Sequence, residues 1–409
     1  MIKRIFITLV ITAIAYWFLF DFIRWIQYDN QSYSNTARLL FAIDGGSNDM
    51  GRITKPLFIF FPGLLEKIWN IYPQYTIIVQ NFIFFFLNGC LFYKIIFEIS
   101  GNKMQAYLGM LAFITCQPYA VYSLLLMADG AGWFWELLTV YFTIYILKNN
   151  KSYIYFIFLA IIMVMGMLTK ESVLAAIVFC VFSVFLHDIP FCLLRNKTSR
   201  KIITISQNIF PSIKRNFVRK KIFPLTIMLC SFIILFIAFQ IGIYFKYNFS
   251  IIDVIRKSRY ERSFTYYYNL KNIRQVYRIL DLYWIFFTFT LVLWFKKKIM
   301  LFNQENWLIT SLLTLLIVLI LLPIGWPYII DRVLFMVAPF AIIISSYGII
   351  YFKEKAFLLV SIAGVFNVII QFIIYKYKVE YLLYVVAGAY LLFIMFFLKL
   401  RFKSLRVMS

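Results

Sequence analysis

The chain has 409 residues, of which 63% are hydrophobic, 21% aromatic and only 14% charged, with a mean hydropathy of +0.84. A soluble domain is nearer half apolar and about a quarter charged, so that class is excluded. The formal net charge of +24 does not mark a nucleic-acid partner, because most of it sits in short loops between apolar runs, as expected where Lys and Arg hold loops in the cytoplasm.

The opening stretch MIKRIFITLVITAIAYWFLF has the basic start and apolar middle of a signal peptide. It ends in Trp17, Phe18, Leu19 and Phe20 with no small-residue cleavage site, so it reads as an uncleaved first span. Further apolar runs recur at roughly the length that crosses a ~30 Å hydrocarbon layer. They predict an all-α, polytopic membrane protein of about 12 transmembrane helices. These lie near 5–22, 75–97, 105–126, 131–147, 153–168, 172–191, 222–245, 279–295, 305–324, 333–352, 356–375 and 381–398. An outer-membrane barrel would show short alternating segments instead.

Alternate loops are basic, from Lys3 and Arg4 through Lys103, Lys148 and Lys151, the long loop 192–221, Lys296 to Lys298, and Lys353 with Lys355, to the tail. This parity puts both termini in the cytoplasm of a cell-membrane protein. No repeat or separate soluble domain is visible, so residues 1–409 read as one transmembrane domain. Two outer loops, 21–74 and 246–280, are too long and polar to be plain connectors. The second is basic, against the orientation rule. Either the run at 282–295 does not span, or the charge is retained for a ligand. The Lys296–Lys298 flank favours the second.

The five cysteines, Cys90, Cys116, Cys180, Cys192 and Cys230, fall in or beside apolar runs without metal-type spacing and read as core filler. The single histidine, His187, argues against a histidine-based metal site or hydrolytic triad. No cofactor and no metal is expected.

Candidate chemistry clusters on the predicted outer face. In YDNQSYSNTARLL, residues 28–40, Tyr33, Ala37 and Leu40, with Phe41 next, form one apolar helical face, with Asn30 or Ser32 as N-cap. Asp29 then lies where the helix dipole favours its ionised form. It either caps the helix or accepts a proton from an attacking hydroxyl. Lys55 precedes Pro56 and either pairs with a phosphate or snorkels from the membrane surface. The following segment, 58–69, is amphipathic enough to lie in the interface with Trp69 as anchor. Asp129 and Glu136, seven residues apart, return to nearly the same helical face and line one cavity, or pair with loop arginines. Lys170 and Glu171 stand together in the turn MLTKES, and WPYIIDR carries Arg332 at a later outer boundary.

Taken in order, these features resemble the GT-C superfamily of polytopic glycosyltransferases, in particular the protein O-mannosyltransferase and aminoarabinose-transferase-like branch. Asp29, Tyr33 and Ala37 match its first-loop acidic element; Lys55 and Pro56 match a Lys-Pro element. Asp129 matches an aspartate in a short outer turn, LTKES a turn between middle spans, and Asp331, Arg332 and Pro339 a late entry element. Asn30 departs from the pattern where many relatives carry a second acid, and Leu57 stands where a second proline is usual.

The resemblance implies inverting transfer of a sugar from a polyprenyl-phosphate donor to an acceptor hydroxyl on a glycan, lipid or protein, outside the cell membrane. Asp29 is then the base. Lys55, Lys170, Arg256, Arg259, Arg262 and Arg332 are donor-phosphate ligands, and Tyr33, Asp129, Glu136 and Glu171 bind sugar or acceptor. A flippase for lipid-linked glycans, a polymerase of O-antigen type and a structural membrane subunit are the alternatives. A flippase predicts a repeat and charged mid-membrane helices; the basic 246–280 loop keeps the polymerase open.

Overall fold

In a computed structural model the described residues are 1–20, 28–125, 127–186, 222–260, 279–295, 302–325 and 335–377. Every regular element among them is helical. In chain order the α-helices are α1 (Ile2–Phe20), α2 (Tyr28–Leu40), α3 (Pro56–Trp69), α4 (Pro73–Ser100), α5 (Lys103–Ile114), α6 (Gln117–Tyr122), α7 (Asp129–Lys148) and α8 (Tyr153–Met167). They continue with α9 (Val173–Leu186), α10 (Phe223–Tyr247), α11 (Ile251–Tyr260), α12 (Trp284–Phe295), α13 (Phe302–Gly325), α14 (Ala338–Ile350) and α15 (Ala356–Tyr377).

Five stretches are long and apolar enough to cross a bilayer: Ile2–Phe20, Pro73–Ser100, Asp129–Lys148, Phe223–Tyr247 and Lys353–Ile374. Five shorter apolar helices accompany them. Large apolar side chains stand uncovered on these elements, including Phe6, Ile11 and Phe18 on α1 and Ile234, Ile237 and Phe245 on α10. Water would penalise that surface and lipid would not. The molecule is built for a bilayer. The expected run at 381–398 lies outside the described residues.

α1 shows how periodicity becomes packing. Ile5, Leu9, Ala13, Tyr16 and Phe20 recur every three or four residues and are buried, while the opposite face is uncovered. Leu9 seats against Gly89 of α4, where an added Cβ would collide with its Cδ2. α14 is apolar all round and is buried over 338–349, as a central helix must be.

The run 105–126 is not one continuous helix. α5 stops at Ile114 and α6 begins at Gln117, one residue before Pro118, which lacks an amide donor. The Ile114 carbonyl, left without an amide by Pro118, accepts from Tyr16 Oη at 2.6 Å, and the Leu111 carbonyl, already bonded to the Thr115 amide, also accepts from Thr115 Oγ1 at 2.7 Å. Farther on, Asp281–Tyr283 is a 3-10 turn leading into α12, and buried Asp281 accepts from Gln371 Nε2 at 2.8 Å.

α2 already contains Asn30 and Ser32, so neither caps it as expected; the Ser32 carbonyl instead accepts from Thr36 Oγ1 at 2.7 Å. α2 and α3 pack together across one end of the bundle. Arg38 of α2 donates to Glu66 of α3 from Nε at 2.9 Å and from Nη2 at 2.6 Å, and lies over the Tyr72 ring at 4.9 Å. Phe58, Ile59, Pro62 and Gly63 of α3 face inward, while Phe60, Phe61, Ile68 and Trp69 stay uncovered, as an interfacial helix requires. α11 and α10 join the same end: Gly51 sits against Val254 of α11 and Phe249 just before it, and Gln240 Nε2 of α10 donates to the Thr54 carbonyl at 3.1 Å.

Candidate functional site

Four charged side chains from three distant segments meet beneath α2 and α3. Lys55 bonds to Glu171, and Lys170 bonds to Asp129. Lys55 is placed by the 3-10 helix Asp49–Thr54 before it and by Pro56, which fits the first turn of α3 because no amide is needed there. Lys170 and Glu171 occupy the turn between α8 and α9, tied to α3 by the Leu57 amide, which donates to the Leu168 carbonyl at 3.1 Å. Asp129 opens α7, where the dipole favours negative charge.

Burial separates the two pairs. The side chains of Lys55 and Glu171 are 22% and 15% exposed, those of Lys170 and Asp129 10% and 0%. Burial alone would raise the Glu171 carboxyl. The charges of Lys55 and Lys170, with hydrogen bonds from Lys55 and its own amide, outweigh that and bring it down to about 2. Glu171 therefore senses both lysines, and the four groups form one cluster with no net charge.

Two buried asparagines of α4 hold the Asp129 turn. Asn81 Nδ2 donates to the carbonyls of Leu125 and Met127, the latter at 3.2 Å, and Asn88 Nδ2 donates to the Gly130 carbonyl at 2.8 Å. Around this turn Tyr33 and Ala37 of α2 pack with Phe58 and Ile59 of α3, Ile77 of α4, and Ala128 and Ala131 on either side of Asp129. Arg52 Nη1 donates to Tyr33 Oη at 3.0 Å, with its guanidinium 4.3 Å from the Tyr33 ring centroid.

Among the expected site residues the structure thus gathers Lys55, Lys170, Asp129 and Glu171, with Tyr33 buried alongside. Asp29 lies in the described first turn of α2, one turn before Tyr33; its side chain is outside the described residues. Arg256 is exposed on α11, which packs against the 3-10 helix preceding Lys55. Arg259 is on the same helix with its side chain outside the description, and Arg262 and Arg332 lie outside the described residues altogether. Glu136 is fully buried inside α7, with no hydrogen bond to either carboxylate oxygen.

Arg52, Asn81, Asn88 and Ser172 were not among the expected site residues. The signal for Asn81 and Asn88 was present: two amides seven residues apart in the otherwise apolar run NFIFFFLNGC. No protein-family model matches the chain, and no curated protein matches it.

Proposed function

We propose that the protein is a membrane glycosyltransferase that moves a sugar from a polyprenyl-phosphate carrier to an acceptor hydroxyl on the outer face of the cell membrane. The observation that carries this reading is the meeting of Lys55, Lys170, Asp129 and Glu171 from three sequence-distant segments at one end of the bundle, under the helix whose first turn holds Asp29. A purely structural subunit has no reason to bury the Lys170–Asp129 pair there with the half-buried Lys55–Glu171 pair beside it, since taking such charges out of water costs several kcal/mol per ion.

The parity reading, with about twelve spans and cytoplasmic termini, puts this end outside. Packing of α11 on the 49–54 segment supports the same side for both polar loops. In the reaction, the acceptor oxygen attacks the anomeric carbon and its proton passes to Asp29. The bond from that carbon to the phosphate oxygen breaks, and polyprenyl phosphate leaves. Lys55 and Lys170, with Arg256, Arg259, Arg262 and Arg332, offset the negative charge gained by the leaving phosphate. Asp129, Glu171, Glu136 and Tyr33 serve the sugar and acceptor. No nucleic acid takes part.

The test is a purified protein in vesicles with radiolabelled polyprenyl-phosphate sugar and membrane acceptors. Asp29→Asn is expected to cut transfer by about 10²–10⁴-fold while donor binding persists; near-normal turnover removes the base. A flippase would leave the sugar–phosphate bond intact, and a polymerase would join whole oligosaccharides instead of single sugars.

A further inference from the structure

On α7, Asp129, Gly132 and Glu136 fall at i, i+3 and i+7, one stripe of the helix. The stem of Lys170 lies across the middle of that stripe. A Cβ added at Gly132 would stand 3.0 Å from Lys170 Cβ, 3.2 Å from its Cδ and 2.9 Å from Ser172 Oγ. Only glycine leaves that track open. The ammonium group bonds to Asp129, on the side of Gly132 nearer the start of the helix.

On the other side, one turn deeper, Glu136 is fully buried with both oxygens unbonded, and the fully buried Ser172 hydroxyl is unbonded as well. A buried carboxylate with nothing opposite it is unfavourable unless a cation or proton reaches it. Helical side chains lean toward the N-terminus, which brings the Glu136 carboxylate back toward Gly132. A lysine on a flexible four-carbon stem resting on Gly132 has one acid on each side within its sweep.

We propose that Glu136 is the alternate partner of Lys170. The ammonium passes from Asp129 to Glu136 across the track left by Gly132, with the Ser172 hydroxyl as an added acceptor. While it is there, Asp129 takes up the proton that Glu136 gives up, and its carboxyl exchanges hydrogen bonds with a polyhydroxylated ligand entering under α2. The charge is never left buried without an acid. The exchange stands on the geometry alone; only the identity of the ligand rests on the transfer reading.

Thermal unfolding of the full chain in detergent tests the exchange with four proteins: wild type, Glu136→Gln, Asp129→Asn and the double variant. Glu136→Gln is expected to leave the melting temperature unchanged or raise it in the wild type, and to lower it by several degrees in Asp129→Asn. That reversal of sign is what a merely structural Glu136 cannot produce; equal shifts in both backgrounds overturn the proposal. So does failure of Asp129→Asn to accumulate while Lys170→Met accumulates, because Glu136 is required to take over the lysine. With transfer assayed in parallel, Glu136→Gln should raise the acceptor KM, with Glu136→Asp restoring it. Absence of any transfer by the wild type would sink the enzymatic reading and leave the melting comparison intact.

Discussion

The two ends of the helical bundle use the same kind of contact to different effect. At one end Lys148 of α7 meets Glu98 of α4 at 3.0 Å, with side chains 39% and 30% exposed. At the other, Lys170 meets Asp129 with 10% and 0% exposed. The first pair is bathed by solvent or headgroups, and such pairs contribute little. The second has given up its hydration, and breaking it strands a charge. Stability gives no reason to build the second kind, since an apolar pair of similar volume often serves as well or better. The costly pair is therefore where selection for activity is expected to show.

Three measurements sharpen that contrast. Lys170→Met leaves the buried Asp129 without its cation and is expected to cost about 3–5 kcal/mol, read as a large fall in melting temperature. A loss no greater than that of a surface lysine would erase the distinction between the two ends. Acidification is the next largest. Glu171 has an ordinary value of 4.5 and is held at about 2 in the fold. Because its folded value is the lower one, its contribution is complete above the ordinary value and is lost as pH falls toward the folded one. The turn between α8 and α9 should loosen in that window by hydrogen exchange, and Lys55→Met should move the loosening to higher pH. The smallest effect belongs to the opposite end, where Lys148→Ala is expected to change stability by less than about 1 kcal/mol.

The residues of the cluster were legible because charge stands out against an apolar background: Lys55, Asp129, Lys170 and Glu171 were visible as isolated charged positions. Their pairing was not. The resemblance assigns lysines to phosphates and acids to sugar or acceptor, whereas the chain brings residues 116 and 41 positions apart into contact with each other first. The apolar stripe of α2 was also readable, and Tyr33 and Ala37 are buried as that stripe requires. The capping residues were misplaced because Asn and Ser favour helix ends in water, whereas α2 begins at Tyr28 and Ser32 is buried within it. The break in 105–126 was written in Pro118, but a run of apolar residues masks it when length alone is scored. The expectation of about twelve spans comes from counting apolar runs; among the described residues five of those runs form helices long enough to cross a bilayer and five form shorter ones.

Arg38 and Glu66 fasten α2 to α3 at one end of their contact, and Gly63 brings the α3 backbone so near α2 that an added Cβ would stand 2.5 Å from the Ala37 carbonyl oxygen. Two helices joined at that spacing form a single layer. Lys55 is the edge of that layer, because it immediately precedes α3 and is bonded to Glu171. Any displacement of α2 is therefore passed through α3 to the Lys55–Glu171 bond, which couples the outermost helix pair to the buried charges beneath it.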